Sequence, residues 1–129
     1  MKNCPRISPA EWQVMKIIWA KSPIMAREVI AQLKVSQSWH AKTIRTLMAR
    51  LVKKGALGYQ SLGRAYLYRP LVKEVDCVRA ESASFIDRVF DGELVPMLTQ
   101  VFEARKLSDA ERREIRLLVG DRKYRREHV

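Results

Sequence analysis

The spacing of apolar residues near the middle of the chain constrains the fold more than any other feature. Five of them are separated by 3, 1, 3 and 1 positions: Ile44, Leu47, Met48, Leu51 and Val52. This spacing places them on one side of an α-helix. The other sides would carry Lys42, Thr43, Arg45, Thr46, Ala49, Arg50 and Lys53. The sequence therefore predicts a helix that is anchored on a core by one side and presents a positive surface on the other.

The excess of positive over negative charge lies entirely in the first half of the chain. Residues 1–70 contain thirteen Lys or Arg against two acidic residues, which gives +11, whereas residues 71–129 contain twelve of each. No acidic residue occurs from position 29 to position 73, although solvated helix faces normally mix both signs. The charge therefore predicts a polyanionic partner, nucleic acid, for a domain over residues 1–70, with a second region over residues 71–129.

Helix signals precede the positive helix. Ser8 as N-cap, Pro9 in the first turn and Glu11 as the third helical residue predict a capping box at the start of the first helix. The run MAREVIAQLK predicts a second helix, and VSQS interrupts it. Gly55 then follows Lys53 and Lys54 as a left-handed residue that ends the third helix.

The spacing of apolar residues changes from a helical to an alternating pattern after Gly55. Residues 57–62 and 64–69 alternate, are rich in Tyr and Leu, and predict an antiparallel hairpin with Arg64 at its tip. Three helices followed by a basic hairpin is the element order of a winged helix-turn-helix. The predicted fold is therefore mainly α with a small β-hairpin wing, and the third helix would enter the major groove of double-stranded DNA.

The positive helix offers two kinds of DNA contact. Thr43, Arg45 and Thr46 lie in its N-terminal half, where side chains reach base edges. Five residues suit phosphates: Lys42, Arg50, Lys53, Lys54 and Arg64. Trp39 would either cover a phosphate or form a hydrophobic staple at the start of the helix. The hairpin tyrosines are interpreted as packing residues rather than as a stacking platform.

The neutral half predicts three short amphipathic helices. They have too little neighbouring chain to bury their apolar faces, so self-association into a homodimer is the natural solution, and its two-fold symmetry would match a palindromic site. The predicted dimerisation residues are Val78, Phe85, Ile86, Val89, Phe90, Leu94, Leu98, Val101, Phe102, Ile115 and Leu118. The C-terminal RKYRREHV is expected to be a disordered basic tail.

The sequence gives little indication of a membrane protein, a secreted protein, a metal-binding protein or an enzyme. No apolar run spans a bilayer and no signal peptide is visible, so a cytoplasmic protein without membrane insertion is expected. Cys4 and Cys77 lie far apart without ligand spacing, and we expect free thiols and no metal or other cofactor. Two histidines and no clustered carboxylates leave nothing from which to assemble an enzyme site.

Four segments resemble the penicillinase repressor family in order and spacing: ISPAEWQVMKIIW, WHAKTIRTLMARLVKKGAL, GRAYLYRPLV and SFIDRVFDG. The resemblance runs from about Ile7 to Val119. It implies a homodimeric winged-helix repressor that occupies dyad operators in promoters. It also implies operator contacts by Lys42, Thr43, Arg45, Thr46 and Arg64. A low-specificity architectural DNA-binding protein is the alternative interpretation.

The chain departs from the family pattern in three places. Some members are cleaved at an Asn-Phe bond after signalling by a membrane sensor, so the resemblance implies a sensor and protease system as a partner. The corresponding place here reads Gln100-Val101, which leaves that partner and release by cleavage open. Copper-responsive members carry C-terminal Cys-x-Cys motifs, whereas no cysteine follows Cys77. The family commonly has Ser-Pro where this chain has His40-Ala41, so the cap of the third helix is either Ser38 or His40.

Overall fold

Helices dominate the computed structural model, which describes the backbone of residues 4–127 and the side chains of residues 4–120. The elements are α1 (Pro9–Ala20), β1 (Ile24–Met25), α2 (Ala26–Ser36), α3 (Ala41–Lys53), β2 (Leu57–Leu62), β3 (Ala65–Pro70), α4 (Glu74–Phe90), α5 (Leu94–Ala104) and α6 (Asp109–Glu127). The chain forms two compact units, of which the first ends at Ser82 and the second begins at Ala83. The winged-helix element order predicted from the sequence is confirmed.

The predicted capping box starts α1. The Ser8 hydroxyl accepts a hydrogen bond from the Glu11 backbone N–H at 3.1 Å, and the Glu11 carboxylate accepts one from the Ser8 N–H at 2.9 Å. Both bonds satisfy donors that the first turn of a helix cannot pair internally. Glu11 also lies inside the protein, with 1% of its surface exposed, so it needs a further partner.

Lys54 supplies that partner from the end of α3. Its Nζ donates to Glu11 Oε1 and to the backbone carbonyl of Arg6, the latter at 2.8 Å. Burial by itself raises the pKa of Glu11, but the hydrogen bonds from Lys54 and Ser8 and the Lys54 charge together outweigh it, so the pKa is lowered. The ionised carboxylate is therefore the form that stabilises the fold.

The core of the first unit lies between three helices and the sheet. The α3 residues Ile44, Leu47, Met48 and Leu51 are buried, and Val52 is partly buried. They share one cluster with residues of α1 and α2, namely Val14, Met15, Ile18, Val29, Ile30 and Leu33. At its edge the Trp19 ring Nε1 donates to the Val72 carbonyl at 3.0 Å. The predicted apolar stripe is confirmed as the anchor of α3.

The sheet has three strands rather than the predicted two. β3 pairs with β2 on one side and with β1 on the other, and Ile24 lies opposite Tyr68. β1 has two residues, too few for an alternating pattern to reveal it. The last hairpin pair is Leu62 with Ala65, so Gly63 and Arg64 form the turn and β3 starts one residue later than predicted. Gly63 has φ of 64°, which favours glycine there.

The two cysteines are bonded to each other, so the prediction of free thiols is wrong. A disulfide joins Cys4, in the segment before α1, to Cys77, in the first turn of α4, with 5.2 Å between their Cα atoms. They are 73 positions apart in the sequence, and only the fold brings them together. Val72 and Cys77 are both buried in this core. The first unit therefore extends beyond Pro70, the end predicted from charge.

The second unit contains the C-terminal part of α4 together with all of α5 and α6. α4 ends at Phe90 and is followed by Asp91 and Gly92, both with positive φ. Pro96 lies in the first turn of α5, where proline does not break a helix. Ser108 and Glu111 form a capping box at the start of α6. Among the described residues, no helix is both long and apolar enough to cross a membrane.

α6 runs farther than the sequence predicted. Its backbone is helical to Glu127, which covers the first six residues of the segment expected to be a disordered tail. The reason is composition: the chain has no Pro or Gly after Gly120, and Arg, Lys and Glu are good helix formers. The last two tail residues lie outside the described part of the chain.

The Glu11–Lys54 pair leads to a prediction about stability. Glu11→Gln keeps the shape of the side chain but removes its charge, and should lower the free energy of unfolding by about 1–3 kcal/mol at neutral pH. The pKa of Glu11 is lower in the folded than in the unfolded chain, so its contribution is present above the ordinary value of 4.5 and is lost as pH falls through the lowered value. Chemical denaturation of parent and variant across pH 3–7 would measure both effects.

Glu28→Gln is the matched control. Glu28 pairs with Lys21 at 3.3 Å on the surface, where 64% of the Lys21 side chain and 42% of the Glu28 side chain are exposed. Such pairs contribute less than about 1 kcal/mol. If the two variants lost equal stability at neutral pH, the Glu11–Lys54 pair would not have the structural importance assigned to it.

Candidate nucleic-acid interface

The face of α3 opposite the core is positive and exposed. Six residues predicted to contact DNA lie on it, and each is exposed: Lys42, Thr43, Arg45, Thr46, Arg50 and Lys53. Burial of the apolar stripe fixes which side of α3 faces outward, and the side chains on that side carry four positive charges and no negative one. An α-helix fits the major groove of B-DNA, where base edges can be read by hydrogen bonds. This face therefore has the shape and charge of a DNA-reading surface.

One of these side chains has an internal hydrogen bond. The Thr46 hydroxyl donates to the Lys42 backbone carbonyl at 3.0 Å, one turn earlier in α3. Its proton is therefore used within the helix, while its oxygen can still accept and its methyl group can still make apolar contacts. Arg45, in contrast, has five N–H donors on its guanidinium, which suits bidentate contact with guanine.

His40 is the N-cap of α3. Its backbone is extended, with φ of −73° and ψ of 151°, but its side chain makes no capping hydrogen bond. Ser38 lies outside the helix in the left-handed region, with φ of 59°, and forms part of the turn between α2 and α3. Of the two predicted alternatives, the structure therefore selects His40. The departure from the family pattern at His40-Ala41 leaves the helix without a side-chain cap.

Trp39 lies just before this cap. Its ring is partly buried and packs against the core cluster that contains Ile44. A residue before the N-cap that packs on the same apolar cluster as the fourth helical residue has the position of a hydrophobic staple. The exposed remainder of the ring is the part that could cover a phosphate.

The C-terminal end of α3 is closed by a Schellman motif. The Gly55 N–H donates to the Val52 carbonyl at 3.0 Å, and the Ala56 N–H donates to the Leu51 carbonyl at 2.9 Å. Gly55 has φ of 86°, the left-handed conformation predicted for it. Lys54 lies at this end too, but its ammonium group is engaged by Glu11 and Arg6, which sets it apart from the other basic residues of α3.

An open hollow of about 420 Å³ separates α2, α3 and the wing. Arg27 from α2, Arg45 from α3 and Arg64 from the hairpin turn all line it. Arg45 and Arg64 were both predicted to contact DNA, and the fold brings them to the same hollow. Arg27 was not among the predicted DNA contacts, which were drawn from α3, the residues around it and the hairpin. The sequence feature that could have identified Arg27 is its position in the first turn of a helix, just before a long stretch without acidic residues.

Three tyrosines form a cluster on one face of the wing. The Tyr59 ring lies 5.2 Å from that of Tyr66 and 5.5 Å from that of Tyr68, measured between centroids. Burial raises the pKa of Tyr68, and the two neighbouring phenols raise it further. Tyr59 and Tyr66 are nevertheless exposed and Tyr68 is only partly buried, so the packing interpretation stays a prediction. Tyr66 also borders the hollow, which gives that wall a phenol beside the guanidinium groups.

The predicted dimerisation residues form a second candidate surface. Val78, Phe85, Val89, Leu94, Val101, Phe102 and Leu118 are exposed in the single chain, whereas Ile86, Phe90, Leu98 and Ile115 are partly buried. None of the described residues from 83 to 120 is buried. A helical unit that leaves so many large apolar side chains in water has an unpartnered apolar surface.

Comparison with known proteins gives matches along nearly the whole chain. The profile of the family described as penicillinase repressor matches residues 7–121. The chain is similar to a penicillinase repressor of Bacillus licheniformis, with 40% identity over 126 residues and 98% of each chain covered. It is also similar to the methicillin resistance regulatory protein MecI of Staphylococcus aureus (strain N315), with 36% identity over 114 residues, 88% of this chain and 93% of that one.

Two solved structures resemble the N-terminal part. One is the DNA-binding domain of the repressor BlaI, with 47% identity and a TM-score of 0.54 over 59% of this chain and 93% of that one. The other is the monomeric form of Bacillus licheniformis BlaI in complex with the blaP half-operator, with 47% identity, a TM-score of 0.52 and the same coverage.

Proposed function

The chain belongs to the penicillinase repressor family and is a DNA-binding transcriptional repressor, and we propose that it occupies a dyad operator as a homodimer. The family consists of repressors rather than enzymes. The observation that carries the proposal is the outward face of α3, which is exposed and carries four positive charges and no negative one. Operator DNA as the partner implies a cytoplasmic location.

In this proposal α3 lies in the major groove. Thr43, Arg45 and Thr46 contact base edges, while Lys42, Arg50 and Lys53 contact the flanking phosphates. The similar BlaI chain has been solved on a half-operator, which supports placing the DNA contacts in the corresponding first unit. We leave Lys54 out of the contact set, because displacing its ammonium would strand the buried Glu11 carboxylate.

The hollow beside Arg45 extends the contact surface toward the wing. Arg27, Arg45 and Arg64 come from three different elements and line one open cavity. Guanidinium groups bind phosphate oxygens bidentately, so the hollow suits the sugar–phosphate backbone as it leaves the groove. We therefore add Arg27 to the proposed phosphate contacts.

Dimerisation is proposed for the second unit because it lacks an interior of its own. Side chains such as Phe85, Val89 and Val101 are 41%, 52% and 41% exposed in the single chain. A second copy offers the same apolar surface and can bury it in a two-fold interface. Two copies related by a two-fold axis would present two α3 helices to the two halves of a dyad.

Release from the operator is proposed not to depend on cleavage between Gln100 and Val101. This bond lacks the Asn-Phe sequence of sensor-responsive family members. It also lies inside α5, where backbone hydrogen bonding opposes the extended conformation that a protease needs. The membrane sensor and protease implied by the resemblance are therefore not included among the proposed partners.

Two substitutions on α3 should separate base reading from phosphate attraction. Arg45→Ala should weaken binding to the operator by about 1–3 kcal/mol while changing binding to random DNA much less. Lys53→Ala should weaken both, and should lower the slope of log affinity against log salt by about 1. Fluorescence anisotropy titrations on a dyad duplex and a scrambled duplex, at several salt concentrations, would measure these effects.

Arg113→Ala is the matched control, since it removes one positive charge from an exposed position on α6. It should leave both affinities unchanged. The base-reading role of Arg45 would be contradicted if Arg45→Ala bound both duplexes as tightly as the parent. Equal weakening of operator and random DNA by both α3 variants would instead favour the low-specificity architectural alternative.

Removal of the second unit should abolish dimerisation. A chain truncated after Ser82 keeps Val72 and Cys77, which belong to the first core, and should sediment as a monomer that binds a half-operator duplex. In the full-length chain, Val89→Glu should raise the dissociation constant of the dimer, because an unpaired carboxylate would be buried. Sedimentation equilibrium would measure both. A truncated chain that stayed dimeric would place the interface in the first unit.

A further inference from the structure

The disulfide lies at a junction between the N-terminal segment and α4. Cys77 is 1% exposed, whereas Cys4 is only partly buried. The two residues therefore differ in exposure: Cys77 lies inside the core, whereas Cys4 packs at its edge. This asymmetry is what an exchangeable disulfide needs, since exchange begins with attack on one accessible sulfur.

The segment that carries Cys4 also touches the end of the DNA-reading helix. Cys4 is bonded to α4, the Arg6 carbonyl accepts a hydrogen bond from Lys54 at the C-cap of α3, and Ile7 is buried with 6% of its surface exposed. Lys54 in turn pairs with Glu11 of α1. A continuous chain of covalent and polar contacts therefore runs from α4 through the N-terminal segment to α3.

The expected compartment makes this bond unusual. The inference rests on the proposed function, because a repressor that acts on operator DNA works where small thiols keep most cysteines reduced. Disulfides in that environment are as a rule transient, and serve catalysis or redox sensing. Two cysteines that the fold brings within bonding distance across 73 positions, one of them only partly buried, suit redox sensing.

We propose that Cys4 and Cys77 form a reversible thiol–disulfide switch through which the cellular thiol pool adjusts operator affinity. For reduction, the thiolate of a small thiol attacks the Cys4 sulfur, the Cys4–Cys77 bond breaks, and Cys77 leaves as a thiolate that takes up a proton. A second small thiolate attacks the mixed disulfide, releasing the Cys4 thiolate, which is also protonated, and a small-molecule disulfide. Oxidation is the reverse exchange with that disulfide.

The switch would act through α4, the continuous helix that links the first unit to the proposed dimerisation unit. In the oxidised protein the first turn of α4 is tied covalently to the N-terminal segment. In the reduced protein that tie is lost, and the first turns of α4 can separate from the core more readily. Looser attachment lowers the effective concentration of the second DNA-reading unit at its half-site, so dyad binding should weaken while half-site binding should not.

The test uses the full chain in reduced and in oxidised glutathione buffers, with alkylation and mass spectrometry to count free thiols. The DNA probes are a dyad duplex selected from random sequence by the oxidised protein, and a duplex that carries one half of it. Reduction should weaken dyad binding about tenfold and change half-site binding less than about twofold. Half-site affinity serves as the internal control for damage to the DNA-reading surface.

Cys4→Ala and Arg6→Ala form a matched pair of variants in the same segment. Cys4→Ala should bind the dyad like the reduced parent in both buffers, whereas Arg6→Ala keeps both cysteines and should respond as the parent does. Cys77→Ala gives a second disulfide-free variant. Because Cys77 is buried, this substitution is more disruptive to folding than Cys4→Ala.

Several results would overturn the switch. Two free thiols after oxidising treatment would show that the bond does not form. Equal dyad affinity in the two buffers, with a melting temperature that still differs between them, would leave the bond as a purely structural cross-link. A redox response that persisted in Cys4→Ala would assign it to other groups. Failure of the oxidised protein to select any dyad would contradict the proposed function itself, and the switch with it.

Discussion

Burial of the α3 stripe is the interaction on which the rest of the molecule depends. Ile44 and Leu51 are completely enclosed, and they pack in one cluster with the apolar faces of α1 and α2. Each buried residue of this size contributes about 1.5–3 kcal/mol relative to an exposed one, which greatly exceeds what any surface ion pair supplies. Because the stripe fixes the rotation of α3 about its axis, it also determines which side chains face outward. The basic surface is in this sense a consequence of the core.

The Glu11–Lys54 pair adds a constraint at the end of α3. It joins the capping box of α1 to the C-cap of α3, and the same ammonium group binds the Arg6 carbonyl. Since one partner is almost fully buried, loss of the other would leave an uncompensated charge in the core. One basic residue of α3 is thus used to hold the helix rather than to attract DNA.

Local patterns allowed much of the fold to be predicted. The Ser8 capping box, the α3 stripe, the Gly55 helix end and the hairpin each depend on residues close together in sequence. The features that were missed depend on distant residues. β1 exists because Ile24 lies opposite Tyr68, and the disulfide exists because the fold brings the N-terminal segment to α4.

In the candidate site too, features set by residues close in sequence were predicted, whereas features set by distant residues were missed. The basic face of α3 could be predicted from helical periodicity, because periodicity alone decides which residues oppose the stripe. The placement of Arg27 beside Arg45 and Arg64, and the engagement of Lys54 by Glu11, depend on how α1, α2 and the wing pack, which no short pattern encodes. Family resemblance indicated the function of this surface without supplying that packing.

In the proposed function, the outward face of α3, with the wing, reads DNA from a position fixed by the core. The most direct measurement is an NMR titration of the full-length protein with a half-operator duplex, in which each backbone amide is followed separately. We expect the largest shift changes in α3, at the Gly63–Arg64 turn and at Arg27, with small changes in residues 83–120. Large changes confined to residues 83–120, with α3 unaffected, would contradict it.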